Sequence, residues 1–581
     1  MGDEGGAGAK PGSAAPEPSD GDPTAGEDDD NRAHAIELYD DRHSLEGKIR
    51  PDLQNAAWKQ FSEMGTLTNQ LASGLPFARW VPLGPGPSLT LQGSQGYRLE
   101  GGTVWDIAID PAVGADGAAD QVMYLATEGG IWKTLDGGAS WLPKTSRLGV
   151  QWFGAVALDV ADTNTVYAGS GSTYHALGNG LYKSSDGGSH WKGPFAQAEL
   201  TGKAVTRIVS PARNVLLVSA RDDRNQAGLL LRSTDGGETF VRVSIPFFPS
   251  SSCPISDLHL STASSDEVFV AIHGKGIFRS TDAGASFTSN LFSGSGAPEP
   301  DTYRWVTFAQ GGRANSAVFY AAVAVQVGMQ GEPKRKDDVV LYKSNDAGGS
   351  WSKLSNFKGD IPWFQSGHAQ TIGVDPDDVN NVFVGLESAF VSADGGQTFT
   401  VIRESELHPD HHAITYSPTR GRSGRALYVG TDGGLSRRAH GSDTWTGLND
   451  GLTNSLINDL DIGRGSEANR AYSYAGFQDQ GTQVMKPGFA LPRWQKIDGG
   501  DNAFVAVDPS DPRHALTSAG FKRTTDGSTL TSRAAALKGN PVLLRFDPNV
   551  VADVDHKRLY MSAQGHGSGL YATNDSAATV T

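Results

Sequence analysis

The sequence predicts an all-β fold, a β-propeller of four-stranded sheets, and three observations predict it. From residue 79 onward a unit of about 48 residues recurs ten times. Each unit holds short runs of alternating apolar residues separated by glycine-rich turns, the pattern of half-buried strands. A turn motif recurs at a fixed place in most units. The 73 glycines among 581 residues show no Gly-X-Y period, so they fit tight turns rather than a collagen helix.

The first strand of each unit is the most regular element. It alternates apolar and small or polar residues and often ends near Asp-Pro. The ten copies read VWDIAIDP, GAVALDV, VTRIVSP, ISDLHLS, RWVTFAQ, QTIGVDP, HAITYSP, INDLDIG, FVAVDPS and VLLRFDP.

The recurring turn has the pattern Ser/Thr-x-Asp-x-Gly-x-Ser/Thr-Trp/Phe and joins the third strand to the fourth. Its aspartate can accept hydrogen bonds from the N–H groups of its own turn, and the aromatic residue can fill the gap between sheets. We therefore expect these aspartates to be structural. The clearest copies run from Thr134 to Trp141, Ser184 to Trp191, Ser233 to Phe240, Ser280 to Phe287, Ser344 to Trp351 and Ser392 to Phe399.

The ten units predict a single ten-bladed ring, residues 79–581. The last unit has no fourth strand, whereas Arg79-Trp80-Val81-Pro82 matches the start of one. We expect the strand at Trp80 to pair with the C-terminal strands and close the ring, which also removes the last sheet edges. The alternative is a longer protein in which a second ring is unfinished.

Two segments precede the repeats. Residues 1–31 are acidic and of low complexity and predict a disordered arm. Residues 32–78 predict a helical segment in which Leu53, Ala57, Phe61 and Met64 share one face, either packed on the main domain or binding a protein partner.

Composition excludes several classes of function. The net charge is −16, and residues 1–78 alone carry 15 acidic against 6 basic side chains. Nucleic acid is therefore not expected as a partner. No apolar run of about 18 residues exists, so no membrane span is expected. Cys253 is the single cysteine and predicts a buried, inert thiol.

The boxes resemble the BNR or Asp-box repeats of sialidases, of xyloglucan-active glycoside hydrolases built from two propellers, and of the sortilin/Vps10 family. The second half, with HPDHHAITYSP from His408, TDGG at Asp432 and AGFQDQGTQ from Ala475, is similar to bacterial BNR-repeat proteins labelled glycosyl hydrolase or sortilin-like. The resemblance implies a glycan or peptide ligand and an extracellular or periplasmic location, although no apolar signal segment follows Met1. The F/Y-R-I-P motif of sialidases is absent from the sequence.

Strand alternation places the candidate site on one face. Turns between second and third strands, and connections from a fourth strand to the next first strand, meet at the mouth of the channel opposite the Asp-boxes. Ionisable and aromatic residues concentrate there, and propellers commonly bind ligands at such a mouth. The expected ligand-binding residues are Trp152, Tyr174, His175, Arg221, Arg224, His273, Trp363, His368, Glu387 and His566.

Three chemistries remain open at this mouth. Paired carboxylates could hydrolyse a glycosidic bond, and the candidates are Asp432, Asp479, Asp501 and Glu128. The histidine-rich run could bind a divalent cation through His408, Asp410 and His412. The mouth could also bind a glycan, or a peptide or protein partner, without catalysis.

Overall fold

The computed structural model describes most of the repeat region. The described residues are 88–91, 97–112, 119–172, 176–222, 227–246, 253–327, 336–362, 367, 369–418, 424–464, 466–487, 494–500, 505–508, 511–517, 522–527, 531–532, 550–553, 558–563 and 569–573. The predictions for residues 1–78 and for the strand at Trp80 lie outside them.

Seven antiparallel four-stranded sheets follow one another from residue 104 to residue 447, and the prediction of a β-propeller is confirmed. Two strands precede them, β1 (Ser88–Leu91) and β2 (Tyr97–Glu100). Sheet 1 consists of β3 (Val104–Ile109), β4 (Met123–Thr127), β5 (Gly130–Thr134) and β6 (Leu142–Pro143). Sheet 2 consists of β7 (Phe153–Asp159), β8 (Asp162–Ser170), β9 (Leu181–Ser184) and β10 (Lys192–Phe195). Sheet 3 consists of β11 (Ala204–Ala212), β12 (Val215–Arg221), β13 (Gly228–Ser233) and β14 (Val241–Arg242).

The next four sheets repeat this order. Sheet 4 consists of β15 (Ile255–Leu260), β16 (Val268–Ile272), β17 (Gly276–Ser280) and β18 (Ser289–Asn290). Sheet 5 consists of β19 (Val306–Gln310), β20 (Phe319–Val327), β21 (Lys336–Ser344) and β22 (Ser352–Pro362). Sheet 6 consists of β23 (Thr371–Val374), β24 (Val382–Gly385), β25 (Ala389–Ser392) and β26 (Thr400–Ile402). Sheet 7 consists of β27 (His411–Tyr416), β28 (Leu427–Thr431), β29 (Gly434–Arg438) and β30 (Trp445–Gly447).

These seven sheets close into a ring, so the prediction of a single ten-bladed ring is wrong. The first strand of each sheet contacts the first strand of the next, and β27 of sheet 7 contacts β3 of sheet 1. At this seam Val104 and Ile107 pack in one buried cluster with Ala413 and Tyr428. Sheet 7 approaches closely because Gly430 has no side chain: a Cβ there would lie 2.7 Å from the carbonyl oxygen of Val104.

Three further sheets form a second array outside the ring. Sheet 8 consists of β31 (Ile457–Ile462), β32 (Ser473–Phe477), β33 (Gly481–Met485) and β34 (Gln495–Lys496), and is extended by β1 and β2. Sheet 9 consists of β35 (Val505–Val507), β36 (Ala515–Thr517), β37 (Lys522–Thr524) and β38 (Thr531–Ser532). Sheet 10 consists of β39 (Val550–Asp553), β40 (Arg558–Ala563) and β41 (Gly569–Thr573). The first strands β31, β35 and β39 contact in that order.

Helices are few in the described part of the chain. Two short α-helices lie in connections, α1 (Gln197–Leu200) and α2 (Glu467–Arg470), and one 3₁₀ turn spans Arg313–Asn315. None of the described helices has the length and apolar character that a membrane crossing requires.

The Asp-box turns have the structural role that the sequence predicts. In the box of sheet 3, the amides of Glu238 and Thr239 donate to Asp235 Oδ1 at 3.1 and 2.9 Å, and the hydroxyl of Ser233 donates to the same oxygen. The box tryptophans bridge neighbouring sheets, since Trp191 Nε1 donates to the carbonyl of Lys144 at 3.0 Å. The aspartates are therefore occupied by their own turns.

Candidate functional site

The axis of the ring contains a cavity of about 550 Å³ that is lined by all seven inner strands. Five of these strands shift register beside their second residue. Such bulges redirect a side chain, and the shifted residues all line the cavity: Trp105, Gly154, Thr206, Ser256 and His412. Trp305 and Gln370 precede the other two inner strands and line it as well. We call this end of the cavity the distal mouth, because it lies opposite the Asp-boxes.

Two indole groups contribute to the distal mouth. The ring of Trp105 lies 4.3 Å from that of His412, tilted by 37°. The Arg221 guanidinium carbon lies 5.6 Å from the centre of the Trp305 ring, and the His273 ring lies 6.2 Å from it. Burial lowers the pKa of His273 to about 4, so this imidazole is neutral near pH 7. Of the predicted ligand-binding residues, the structure thus brings Arg221 and His273 together on Trp305.

Hydroxyl and amide groups surround the indoles. Thr206 and Ser219 share a hydrogen bond of 2.8 Å between their hydroxyl oxygens. Gln370 donates its amide to the carbonyl of Ala322 at 2.9 Å and to Thr307 Oγ1 at 3.3 Å. The mouth therefore combines aromatic faces with uncharged hydrogen-bonding groups.

A charged network lies deeper in the channel, centred on Arg207. The guanidinium donates across the channel to the carbonyls of Trp105 and His412, each at 3.4 Å, and lies 3.7 Å from Asp106 Oδ1. Arg207 therefore links sheet 3 to both sheets of the seam. His259 Nε2 lies 2.8 Å from Asp257 Oδ1 in the same network.

The two channel carboxyls differ electrostatically. Burial raises the pKa of Asp106 despite the attraction of Arg207. Burial acts in the same direction on Asp257, but the charge and hydrogen bond of His259, together with Arg207, outweigh it and lower the pKa of Asp257. Each carboxylate also accepts a hydrogen bond from a backbone amide of the next sheet. Val156 N donates to Asp106, and Phe308 N donates to Asp257. Both groups thus join neighbouring sheets as well as lining the cavity.

The histidine-rich run does not assemble the predicted metal site. His412 Nε2 bonds Asp432 Oδ1 at 2.8 Å, and both side chains are buried. His408 Nδ1 faces the carbonyl of Pro409, and the neighbouring His411 faces that of Leu386. Among the described residues no group of three or more His, Cys, Asp or Glu side chains is arranged to hold a metal ion. The prediction of a cation on His408, Asp410 and His412 is therefore not supported, because His412 is paired with Asp432.

Three of the predicted catalytic carboxylates, Asp432, Glu128 and Asp479, lie in turns, and two of them are buried. Asp432 is buried with His412, and Glu128 is buried in the turn between β4 and β5. Asp479 occupies a left-handed turn of sheet 8 with φ of 62°. The adjacent Gln480 donates to the carbonyl of Asp432 at 2.7 Å, which joins the turns of sheets 7 and 8. The fourth candidate, Asp501, lies outside the described residues.

The remaining predicted ligand residues are dispersed or undescribed. Trp152 is half-buried beside sheet 2, and its carbonyl accepts from Gly171 N at 2.8 Å. The carbonyl of Glu387 accepts from the amide of Asp410 at 3.1 Å in the turn between β24 and β25. The other candidates lie outside the described residues: Tyr174, His175, Arg224, Trp363, His368 and His566.

Apart from Arg221 and His412, sequence reasoning missed the residues that line the channel. It selected turns and connections, whereas Trp105, Arg207, Asp257, Trp305 and Gln370 lie on or just before the inner strands. One signal was present. Polar or bulky residues near the start of a repeating inner strand, as in VWD, VTR and ISD, break the apolar alternation.

Comparison with known proteins supports the fold alone. No family model and no curated protein matches the chain. Solved structures do match: the GH74 xyloglucanase from Xanthomonas campestris aligns with a TM-score of 0.61 and 16% identity, over 87% of this chain and 75% of that one. The GH74 enzyme of Niastella koreensis aligns with a TM-score of 0.58 and 16% identity, over 86% and 74%. An ancestral GH74 enzyme gives a TM-score of 0.52 at 16% identity, over 86% and 77%.

Proposed function

We propose that this chain recognises a glycan at the distal mouth of its seven-sheet ring. The observation that supports the proposal best is the lining of one cavity of about 550 Å³, which combines two indole rings with hydroxyl and amide groups. A volume of this size lies within the range of small-ligand sites. A glycan is also one of the two ligand classes that the Asp-box resemblance implies, the other being a peptide.

The chemistry of the lining fits a sugar. Pyranose rings have apolar C–H faces that pack on aromatic side chains, and their hydroxyls both donate and accept hydrogen bonds. Trp105 and Trp305 supply aromatic surface, while Ser256, Thr206 and Gln370 supply uncharged hydrogen-bonding groups around it. One charged group, the Arg221 guanidinium, lies on Trp305 at the mouth. A second, Arg207, lies deeper and is held by Asp106 and the seam carbonyls.

Hydrolysis is a further step of the same proposal and needs two opposed carboxyl groups across an open cleft. Asp432 is paired with the buried His412, and Glu128 is buried. The described geometry therefore favours binding over hydrolysis through these two residues, while Asp479 and Asp501 remain candidates. Release of reducing ends by the wild type and by Asp479→Asn and Asp501→Asn variants tests this step.

The fold likeness to GH74 enzymes is consistent with a glycan ligand. The proposal includes an extracellular or periplasmic location, which the Asp-box resemblance implies. The xyloglucanase among these neighbours makes xyloglucan a natural first polysaccharide to test.

The experiment is a binding panel of neutral and acidic polysaccharides, read by calorimetry, with wild type and two variants. Trp305→Ala removes an indole of the distal mouth, and Thr163→Ala changes the lining near the opposite end, where β8 begins. We expect wild type and Thr163→Ala to bind the same glycan, and Trp305→Ala to bind it at least tenfold more weakly while keeping its circular dichroism spectrum. Binding of a peptide library but of no glycan would contradict the proposal and favour a sortilin-like binding propeller.

A further inference from the structure

Three apolar side chains on the inner strand of sheet 8 are exposed to solvent. They are Ile457, Leu460 and Ile462 of β31, which are 38%, 48% and 41% exposed. We call them the β31 strip. The first two occupy the positions that Val104 and Ile107 have in β3, and those residues are buried in the cluster at the seam with sheet 7. The strip is therefore the surface that a neighbouring element covers in the ring.

A hydrogen bond to sheet 9 shows which way the β31 strip faces. Asp459 accepts from the amide of Val505 in sheet 9 at 3.1 Å. Its counterpart in β3, Asp106, accepts in the same way from an amide of sheet 2. Because successive side chains of a strand point to opposite faces, Leu460 faces away from sheet 9. This is the side of sheet 8 that corresponds to the seam side of sheet 1.

The chain that precedes the ring joins the molecule at this same sheet. β1 begins at Ser88 and pairs with β34 in parallel, with Leu89 opposite Gln495. In sheet 8 the strand order from β1 to β31 comprises four strand spacings, or about 19 Å. The N-terminal segment, residues 32–78, is thus tethered to the sheet that carries the β31 strip.

The apolar face that the sequence predicts for this segment matches the β31 strip in length. A helix rises about 17 Å from Leu53 to Met64. The strand extends about 17 Å from Ile457 to Ile462. A flexible chain of about 24 residues, the separation of Met64 from Ser88, spans about 27 Å on average. The tether is therefore long enough to bring the predicted helix from β1 to β31.

We propose that the β31 strip is a docking surface for the chain's own N-terminal amphipathic helix, whose apolar face packs on Leu460 and Ile462. Of the two roles that the sequence left open for this segment, packing on the main domain and binding a protein partner, the proposal assigns the first. A tether of this length holds the helix at an effective concentration on the order of millimolar. Burial of a few apolar side chains then suffices for docking. The inference does not depend on the proposed glycan function.

Limited proteolysis of the full chain tests the docking. Trypsin cleaves after Lys59, in the middle of the predicted helix, and a docked helix must open before it is cleaved. The variant is Leu460→Asp, which places a charge in the strip. The matched control is Val241→Asp in β14 of sheet 3, where the replaced side chain is 66% exposed.

We expect cleavage after Lys59 to be at least tenfold faster in Leu460→Asp than in wild type and to be unchanged in Val241→Asp. Both variants should keep the circular dichroism spectrum of wild type. The unfolding of the ring should also be unchanged, because the contact belongs to the second array. Equal cleavage rates in wild type and Leu460→Asp would overturn the proposal.

Cysteine pairs identify what covers the β31 strip. In a Cys253→Ser background, Phe61→Cys combined with Leu460→Cys should form an intramolecular disulfide under mild oxidation. The matched pair combines Leu460→Cys with Lys59→Cys, which lies two positions before Phe61 and so on the opposite face of a helix. This pair should react at least tenfold more slowly. A disulfide-linked dimer would assign the strip to a second copy of the chain, and the absence of any disulfide in both pairs would show that the helix does not dock there. Either result contradicts the proposal.

Discussion

The first strands of sheets 1 and 8 have similar sequences but different surroundings. β3 reads VWDIAI and β31 reads INDLDI, and both shift register beside their second residue. In β3, Val104 is fully buried and Ile107 is 9% exposed, because sheet 7 covers them. In β31, Ile457 is 38% exposed and Leu460 is 48% exposed. The repeat therefore specifies the sheet, whereas a neighbouring sheet decides whether its apolar face is buried.

The largest expected effect is a charge at the seam. Val104→Asp places a carboxylate where sheet 7 packs on sheet 1, and we expect the free energy of unfolding of the ring to fall by about 4 kcal/mol or more. The equivalent Ile457→Asp in sheet 8 should change it by about 0.5 kcal/mol or less. Urea unfolding followed by tryptophan fluorescence measures both. Equal losses in the two variants would contradict the distinction between covered and uncovered inner strands.

A methyl group at the seam should have the next largest effect. A Cβ at position 430 would lie 2.7 Å from a backbone oxygen, which cannot move without separating the sheets. We expect Gly430→Ala to cost about 2 kcal/mol through overpacking. The control is Gly447→Ala in β30, where the nearest atom to the added Cβ would be 3.4 Å away. The difference in urea midpoint between the two variants is the measurement. If the urea midpoint of Gly430→Ala is equal to or higher than that of Gly447→Ala, the two sheets do not pack as closely at the seam as the structure shows.

Removing the cross-channel link should have a moderate effect. Arg207→Met takes away the donors to the carbonyls of Trp105 and His412 and leaves Asp106 without its nearest cation. We expect a loss of about 2 kcal/mol. Arg464→Met in the second array breaks an exposed pair with Asp461, 3.3 Å long, and should cost about 0.5 kcal/mol or less. Thermal unfolding of the two variants compares them, and a similar Tm for both would argue against a role for Arg207 at the seam.

The smallest expected effect concerns the stability of the Asp-box turns at low pH. The hydroxyl of Thr239, and then its amide, hold the pKa of Asp235 at about 2. A carboxyl whose pKa is depressed on folding stabilises the fold above its unfolded pKa near 4, and this contribution is lost as the pH falls from about 4 to about 2. Asp235→Asn should therefore lower Tm at pH 7 and narrow its difference from wild type towards pH 2. The complete boxes lie in sheets 1 to 6, so acid should weaken the ring before the second array.

The control for the pH dependence of Tm is Asp443→Asn. Asp443 belongs to the degenerate box of sheet 7, and its carboxylate lies 4.0 Å from Arg438 in an exposed pair. We expect Tm of this variant to follow that of wild type at every pH. A pH-independent difference for Asp235→Asn would mean that its carboxylate does not stabilise the turn.

Much of the fold could be predicted from the sequence, because a sheet is specified locally. The alternation of each first strand and the hydrogen bonds of each Asp-box need only residues that are close in the chain. The number of sheets around one axis depends on contacts such as that of Val104 with Gly430, which are more than 300 residues apart in the chain. Because every repeat has a similar pattern, the sequence does not indicate which sheet packs against the first one.

The sequence predicts only part of the arrangement around the candidate site. Arg221 and His273, both selected from the sequence, meet at Trp305, and their role in binding stays a prediction. Asp432 and His412 were assigned to two separate chemistries, yet they form one buried pair. The missing information was the bulge in five of the inner strands, which brings Trp105, Thr206 and Ser256 to the channel and depends on pairing with the second strand.

The most direct test of glycan recognition is a crystal structure of the full chain with a bound oligosaccharide from the glycan that binds in the panel. We predict electron density for the sugar in the distal mouth, beside Trp305. Density for the sugar elsewhere, for example beside Asp479 and Glu128 with an empty distal mouth, would contradict the account.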